Sequence, residues 1–125
     1  LISREEILKG RDILFPIDGT MEQNLGGLLR SINLLRDIWG FPMIVTSGYR
    51  PRQLNCAVDG RPKSRHLTCE ACDIADPDGS LGRWSVNHVE ILEACGLWIE
   101  NPEYTKGWVH YQIQPPKSGN RIFTP

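Results

Sequence analysis

The chain has 125 residues, of which 40% are hydrophobic and 23% charged, and its 14 Lys and Arg against 15 Asp and Glu leave a formal charge of −1. So even a balance argues against nucleic acid as the main partner, because phosphate binding leans on a basic surface. No apolar run is long enough to span a bilayer. The composition is that of an ordered globular protein able to bury a core without a disulfide or metal staple, and the expectation is one domain over residues 1–125.

Ser3 to Glu6 reads as a capping box opening a short helix, followed by a loop from Asp12 to Gly19 around Pro16. Thr20 with Gln23 predicts a second helix start. Leu25, Leu28, Leu29, Ile32 and Leu35 recur at helical spacing, and Gly40 ends the run. Met43 to Ser47 reads as a buried strand, Gly48 to Pro51 as a turn, and Arg52 to Val58 as one short helical stretch. Asp59 to Ser64 is loop by composition.

Ala71 to Ala75 reads as a strand, and Asp76 to Ser80 as a turn. Leu81 to Cys95 reads as one helix with Val86, Val89, Ile91 and Leu92 toward the core. Leu97–Glu100 and Trp108–Gln114 are expected to form a hairpin across the loop Asn101–Gly107, with an irregular tail after it. Helices come first and strands later. The expected class is therefore α+β, a small and mainly antiparallel sheet with helices packed around it.

Chemistry concentrates in Ser64 to Asp76, SRHLTCEACDIAD, where His66 and Asp73 flank Cys69 and Cys72. Strand side chains alternate between faces. Asp73 therefore points away from Cys72 and Ile74, and His110 shares a face with Trp108 and Gln112 while Val109, Tyr111 and Ile113 turn to the core. Two neighbouring strands can aim Asp73 and His110 at one point, and His66 can swing in from its loop. Two imidazoles and a carboxylate with one position left open are the donor set of catalytic zinc sites. His88 reads as a mid-helix surface or packing histidine. A structural zinc on Cys69 and Cys72 lacks two further ligands, and Cys56 and Cys95 form no second CxxC. A thiol-redox role fits poorly, because this CxxC does not open a helix after a strand. All four cysteines read as small buried thiols in a reduced chain.

Ser47-Gly48-Tyr49-Arg50 with Asn55, then Ser64, His66, Ala71 and Asp73, then Trp108 and His110, resemble the zinc D-Ala-D-Ala carboxypeptidase family. That family includes phage and bacterial peptidases of peptidoglycan and shares its fold with the hedgehog signalling domain. The resemblance spans Val45 to Gln112. It implies Zn²⁺ on His66, Asp73 and His110, and Arg50 on the substrate carbonyl or terminal carboxylate, a role suited to a planar and permanently charged fork. It also implies that Ser64 positions substrate or braces its loop, with Tyr49 and Trp108 as groove walls.

Two positions depart from the family pattern: its H-x-x-G glycine is Cys69, and the acid that many members carry three residues before the last His is Gly107. Other members place a Glu at the end of the preceding strand, which makes Glu100 the expected general base and Glu103 the runner-up. The implied activity is zinc-dependent hydrolysis of an amide bond in peptidoglycan stem or cross-link peptides, as a carboxypeptidase or endopeptidase. The alternative is a non-catalytic zinc-containing peptide- or cell-wall-binding module of the same fold. The expected partner is a peptidoglycan peptide, and a monomer is favoured. No signal peptide is visible, so synthesis in the cytoplasm with action at the cell wall or in a phage particle is expected.

Overall fold

Ser3 opens the first helix as its sequence demands. In the computed structural model, which describes residues 1–125, its hydroxyl accepts the Glu6 amide while the Glu6 carboxylate takes the Ser3 amide, capping α1 (Arg4–Leu8). The second helix, α2 (Gly19–Trp39), starts one residue before Thr20. Asp18 caps it by accepting the Met21 amide at 2.8 Å. A carboxylate at this point both satisfies an orphan N–H and meets the positive end of the helix dipole, which a threonine hydroxyl cannot do. Leu25, Leu28, Ile32 and Leu35 are buried as their spacing predicts, and Gly40 takes the left-handed cap at φ +82°.

Strand β1 (Val45–Ser47) is shorter than predicted. Only Val45 and Ser47 find partners on β2 (Ala71–Asp76), at Ile74 and Asp73, with an irregular register between them. A short helix, α3 (Arg52–Ala57), and a 3-10 turn (Arg65–Thr68) fill the connection. The predicted helix Leu81–Cys95 is two helices, α4 (Ser80–Val86) and α5 (Val89–Cys95). His88 causes the break. Its Nδ1–H donates to the Trp84 carbonyl at 2.7 Å, the acceptor its own backbone N–H would use in a continuous helix, and that N–H turns to Ser85 instead. His88 thus caps a helix junction and packs on Trp84, with ring centroids 5.1 Å apart.

The hairpin forms from β3 (Trp98–Glu100) and β4 (Gly107–Gln112), and the tail adds a strand that was not predicted, β5 (Ile122–Phe123). The sheet order is β1-β2-β4-β3-β5, antiparallel except between β3 and β5. The class is therefore α+β with a mainly antiparallel sheet, as expected. Cys72, Ile74, Ile99, Val109 and Tyr111 turn to the core, where they join one cluster with buried residues of α2 and α5. Each such side chain, fully buried, stabilises the fold by about 1.5–3 kcal/mol for a Val, Leu or Ile. The opposite sheet face carries Asp73, His110 and Gln112 of the same strands. No helix is long and apolar enough to cross a membrane.

Candidate metal centre

Strands β2 and β4 pair so that Asp73 lies directly opposite His110. Residues opposite one another share a face, so both side chains rise from the sheet face away from the core. The 3-10 turn brings in His66, through Ser64, whose hydroxyl caps the turn by accepting the His66 amide at 3.2 Å. Asp73 Oδ1 then sits 3.2 Å from His66 Nε2 and 2.9 Å from His110 Nδ1. One ligand atom from each of the three lies within 4.8 Å of the others, and all three residues are buried.

The outer nitrogens decide what belongs between them. His66 Nδ1 lies 2.7 Å from the Gly48 carbonyl, so that nitrogen carries the proton. His110 Nε2 lies 2.9 Å from Gln112 Oε1, and the Gln112 amide is turned that way because its Nε2 donates to the Gln114 carbonyl at 2.8 Å. Each imidazole has therefore committed its one neutral-state proton outward, and presents a lone pair to a carboxylate oxygen. Lone pairs from three donors converging on one point fit a cation, and an imidazole held from behind by a carbonyl is the usual support of a metal ligand. Neither Gly48 nor Gln112 had been assigned this role. Gln112 was legible only as a residue on the ligand face, and the carbonyl of Gly48 carries no sequence signal.

Charge follows the same geometry. With no ion bound and the imidazoles carrying a second, inward proton, burial pushes the Asp73 carboxyl up, but the hydrogen bonds and charge of His110 and His66 outweigh it and hold the group well below the usual carboxylate range. Burial pushes His66 down; at His110 burial also pulls down, but the hydrogen bond and charge of Asp73, with Gln112 and Glu100, together move it up. Arg50 is half-buried, and its desolvated guanidinium is held low by burial while Asp73 draws it back up. Its Nη2 reaches Ser64 Oγ at 3.4 Å, and its Nε has no partner. Ser64 therefore braces both the His66 turn and Arg50.

Glu100 ends β3. The register Trp98↔Gln112 and Ile99↔Tyr111, carried one step further, sets it opposite His110 on the ligand face. It is half-buried; burial raises its carboxyl, His110 and Arg61 lower it, and Asp73 raises it. Glu103 is exposed in a 3-10 turn (Pro102–Tyr104) and has no contact with the cluster. Gly107 is exposed at φ +90° with open space where a side chain would stand. Glu70 is buried away from the ligands, accepting from Thr68 Oγ1 and from Arg65 at 3.4 Å.

Tyr49 is not a wall of the metal site. Its ring is in the core, its hydroxyl donates to the Phe15 carbonyl at 2.9 Å, and it borders a separate cavity of about 610 Å³ that none of the three ligands lines. Trp108 is half-buried two residues before His110 and edges a cavity of about 220 Å³ with Asp76, Pro102 and Thr105.

The cysteines take no part in the cluster, and all four thiols are free. Cys56 is exposed, which corrects the reading of it as a buried thiol; it lies on the outer side of α3, where nothing packs over it. Burial pushes the Cys69 thiol up to about 12 and raises Cys72 further still, so both are protonated packing groups. Cys69 stands at φ +61°, the left-handed cap of the 3-10 turn. A glycine would hold that position without strain, whereas a side chain there costs about 1–2 kcal/mol. The double change Cys69→Ala/Cys72→Ala is expected to retain stoichiometric metal while losing about 2 kcal/mol of stability, from one buried atom removed at each site. Metal analysis with a denaturant titration checks it, and a folded variant without metal would return the cysteines to the site.

Comparisons with known proteins bear on the fold and the family. The crystal structure of the Serratia marcescens L-Ala D-Glu endopeptidase ChiX superposes with a TM-score of 0.52 at 24% identity, covering 77% of this chain and 87% of that one, a likeness of fold. No curated protein matches. The family model described as Peptidase M15 matches residues 8–111, a span that takes in His66, Asp73, Glu100 and His110. Its extent over most of the chain places the protein in the Peptidase M15 family.

Proposed function

We propose that the protein is a zinc-dependent peptidase that hydrolyses an amide bond in peptidoglycan stem or cross-link peptides. The observation that carries this reading is the pair of imidazoles whose outward protons are already committed, leaving their lone pairs and the Asp73 carboxylate turned to one point. Membership of the peptidase family supports hydrolysis, and the peptidoglycan substrate follows the resemblance of the SGYR, H-x₆-D and W-x-H motifs. ChiX, an L-Ala D-Glu endopeptidase of similar fold, is consistent with that substrate class.

His66, Asp73 and His110 would hold Zn²⁺, which would supply Lewis acidity toward the attacking water and the scissile carbonyl. Glu100, opposite His110, takes the proton of the attacking water and delivers it to the leaving amine. Arg50, desolvated and with an uncommitted Nε, steadies the carbonyl oxygen as negative charge grows on it. Ser64 holds Arg50 and the His66 turn together. Gln112 and Gly48 fix the tautomers of the two histidines.

A second reading, a peptide-binding module that does not cut, is favoured by one observation: Gly107 stands bare where many relatives of the resembled family carry the base. Incubation of the zinc-loaded protein with purified stem peptides and cross-linked dimers, read by mass spectrometry, separates the two. Cleavage that stops with a chelator and returns with zinc is the expected result. Zinc binding at full stoichiometry with no peptide cut establishes the binding module instead.

A further inference from the structure

We propose that Phe123, delivered by the C-terminal strand β5, is a positioning residue that holds the Glu100 carboxylate and the His110 imidazole in place on the ligand face. For Glu100 this rests on its reading as the general base. Strand β5 has only two residues, Ile122 and Phe123, and lies beyond residues 8–111, the span that the family model covers. So short a strand adds little to a sheet by itself. Yet it is fastened closely to β3. The Ile99 amide donates to the Arg121 carbonyl at 2.9 Å, and the Asn101 amide donates to the Phe123 carbonyl at 2.7 Å. The Arg121 guanidinium lies 4.1 Å from the Trp98 ring centroid and also donates to the Leu97 carbonyl at 3.0 Å.

This fastening sets Phe123 beside Glu100 in register. Phe123 is 9% exposed, but it is not a member of the hydrophobic core cluster. Its burial is on the other side of the sheet. There its ring stands perpendicular to His110, with centroids 6.1 Å apart, an edge-to-face contact that fixes an imidazole plane as well as adding attraction. Strand β3 runs between β4 and β5, so the two rings meet across the strand that carries Glu100. A glutamate on an open strand end samples many rotamers, and fixing one costs entropy at each turnover. With those rings in contact across its strand, the rotamers that would carry the carboxylate into them are closed before substrate arrives, which is the advantage a placed base holds over a free one.

The test uses the full-length, metal-loaded chain and the peptide cleaved by wild type. Phe123→Ala is expected to keep full metal content and a KM within about twofold of wild type while kcat falls roughly 10- to 100-fold, the scale of a misplaced catalytic group. Phe123→Tyr, which keeps the ring, is expected to restore most of kcat. A readout besides activity is the NMR signal of the His110 ring protons, which the neighbouring ring shifts; Phe123→Ala should move it and leave that of His88 unchanged. Unchanged kcat in Phe123→Ala, failure of Phe123→Tyr to rescue, or metal and melting temperature falling in step with activity would each overturn the proposal. If wild type cuts no peptide, the base reading of Glu100 falls separately, and an unmoved His110 signal then overturns the contact itself.

Discussion

Alanine at His66, Asp73 or His110 is expected to remove the bound zinc from a chain that remains folded, with affinity lowered by well over 100-fold, since even loss of a supporting residue behind a ligand costs about 10–100-fold. His88→Ala is the control. Its imidazole is committed to the Trp84 carbonyl at a helix junction, so it should keep full metal while losing stability. Metal analysis after dialysis reads both. Stoichiometric zinc in all three ligand variants would refute the assignment. Asp73 should also leave a mark on the metal-free protein. Its carboxyl is held below the ordinary range in the fold, so its contribution to stability is present above the unfolded value of about 4 and is lost as pH falls through the lower folded value. Asp73→Ala lacks that part of the acid sensitivity, and denaturant titrations at successive pH values measure the difference.

Glu100→Gln is expected to bind zinc as wild type does and to lose activity by about 10²–10⁴, the usual worth of a placed general base. The amide keeps the size of the side chain and its register place beside His110 and Phe123, but has no basic oxygen to take a proton. Glu103→Gln, exposed in its turn, should stay within a few-fold of wild type. The two carboxylates are close in sequence yet differ in what surrounds them. Half-burial is the main influence raising Glu100, with His110 and Asp73 acting on it in opposite directions, so it stands as a stronger base than an exposed glutamate. Equal turnover by wild type and Glu100→Gln would remove Glu100 from the chemistry. The carboxylate would then have to be sought elsewhere, since Gly107 offers none and Glu70 is tied to Thr68 and Arg65.

Alternation along β2 and β4 was enough to place Asp73 and His110 on one face, because a strand has only two faces and the apolar residues occupy one of them. The leucine run of α2 was legible for a similar reason, since local spacing decides which side of a helix is buried. What escaped the sequence depended on partners distant in the chain or on a competing cap. Asp18 and Thr20 are both good caps, and only the chain path into α2 chooses Asp18. The split between α4 and α5 turns on one imidazole seeking one carbonyl. Strand β5 is too short to carry a pattern of its own and exists through its contacts with β3. Tyr49 sits in a motif rich in site residues, yet its ring serves the core, and a motif does not reveal which of its members point inward.

Gly48 ties the centre to the first turn of the molecule. A methyl group at its α-carbon would come 2.3 Å from the Ile7 carbonyl oxygen, so the end of α1 lies directly against it. The next amide, that of Tyr49, donates to that same carbonyl at 2.9 Å, and Arg11 closes over the Tyr49 carbonyl at 2.7 Å. The carbonyl that steadies His66 is thus itself steadied by the amino-terminal helix. An ion held by this centre would then be reciprocally coupled to helix docking: occupancy would stiffen α1 against Gly48, and loosening of α1 would weaken the ion by the same free energy. This chain sets its smallest residue at the point where the two would meet.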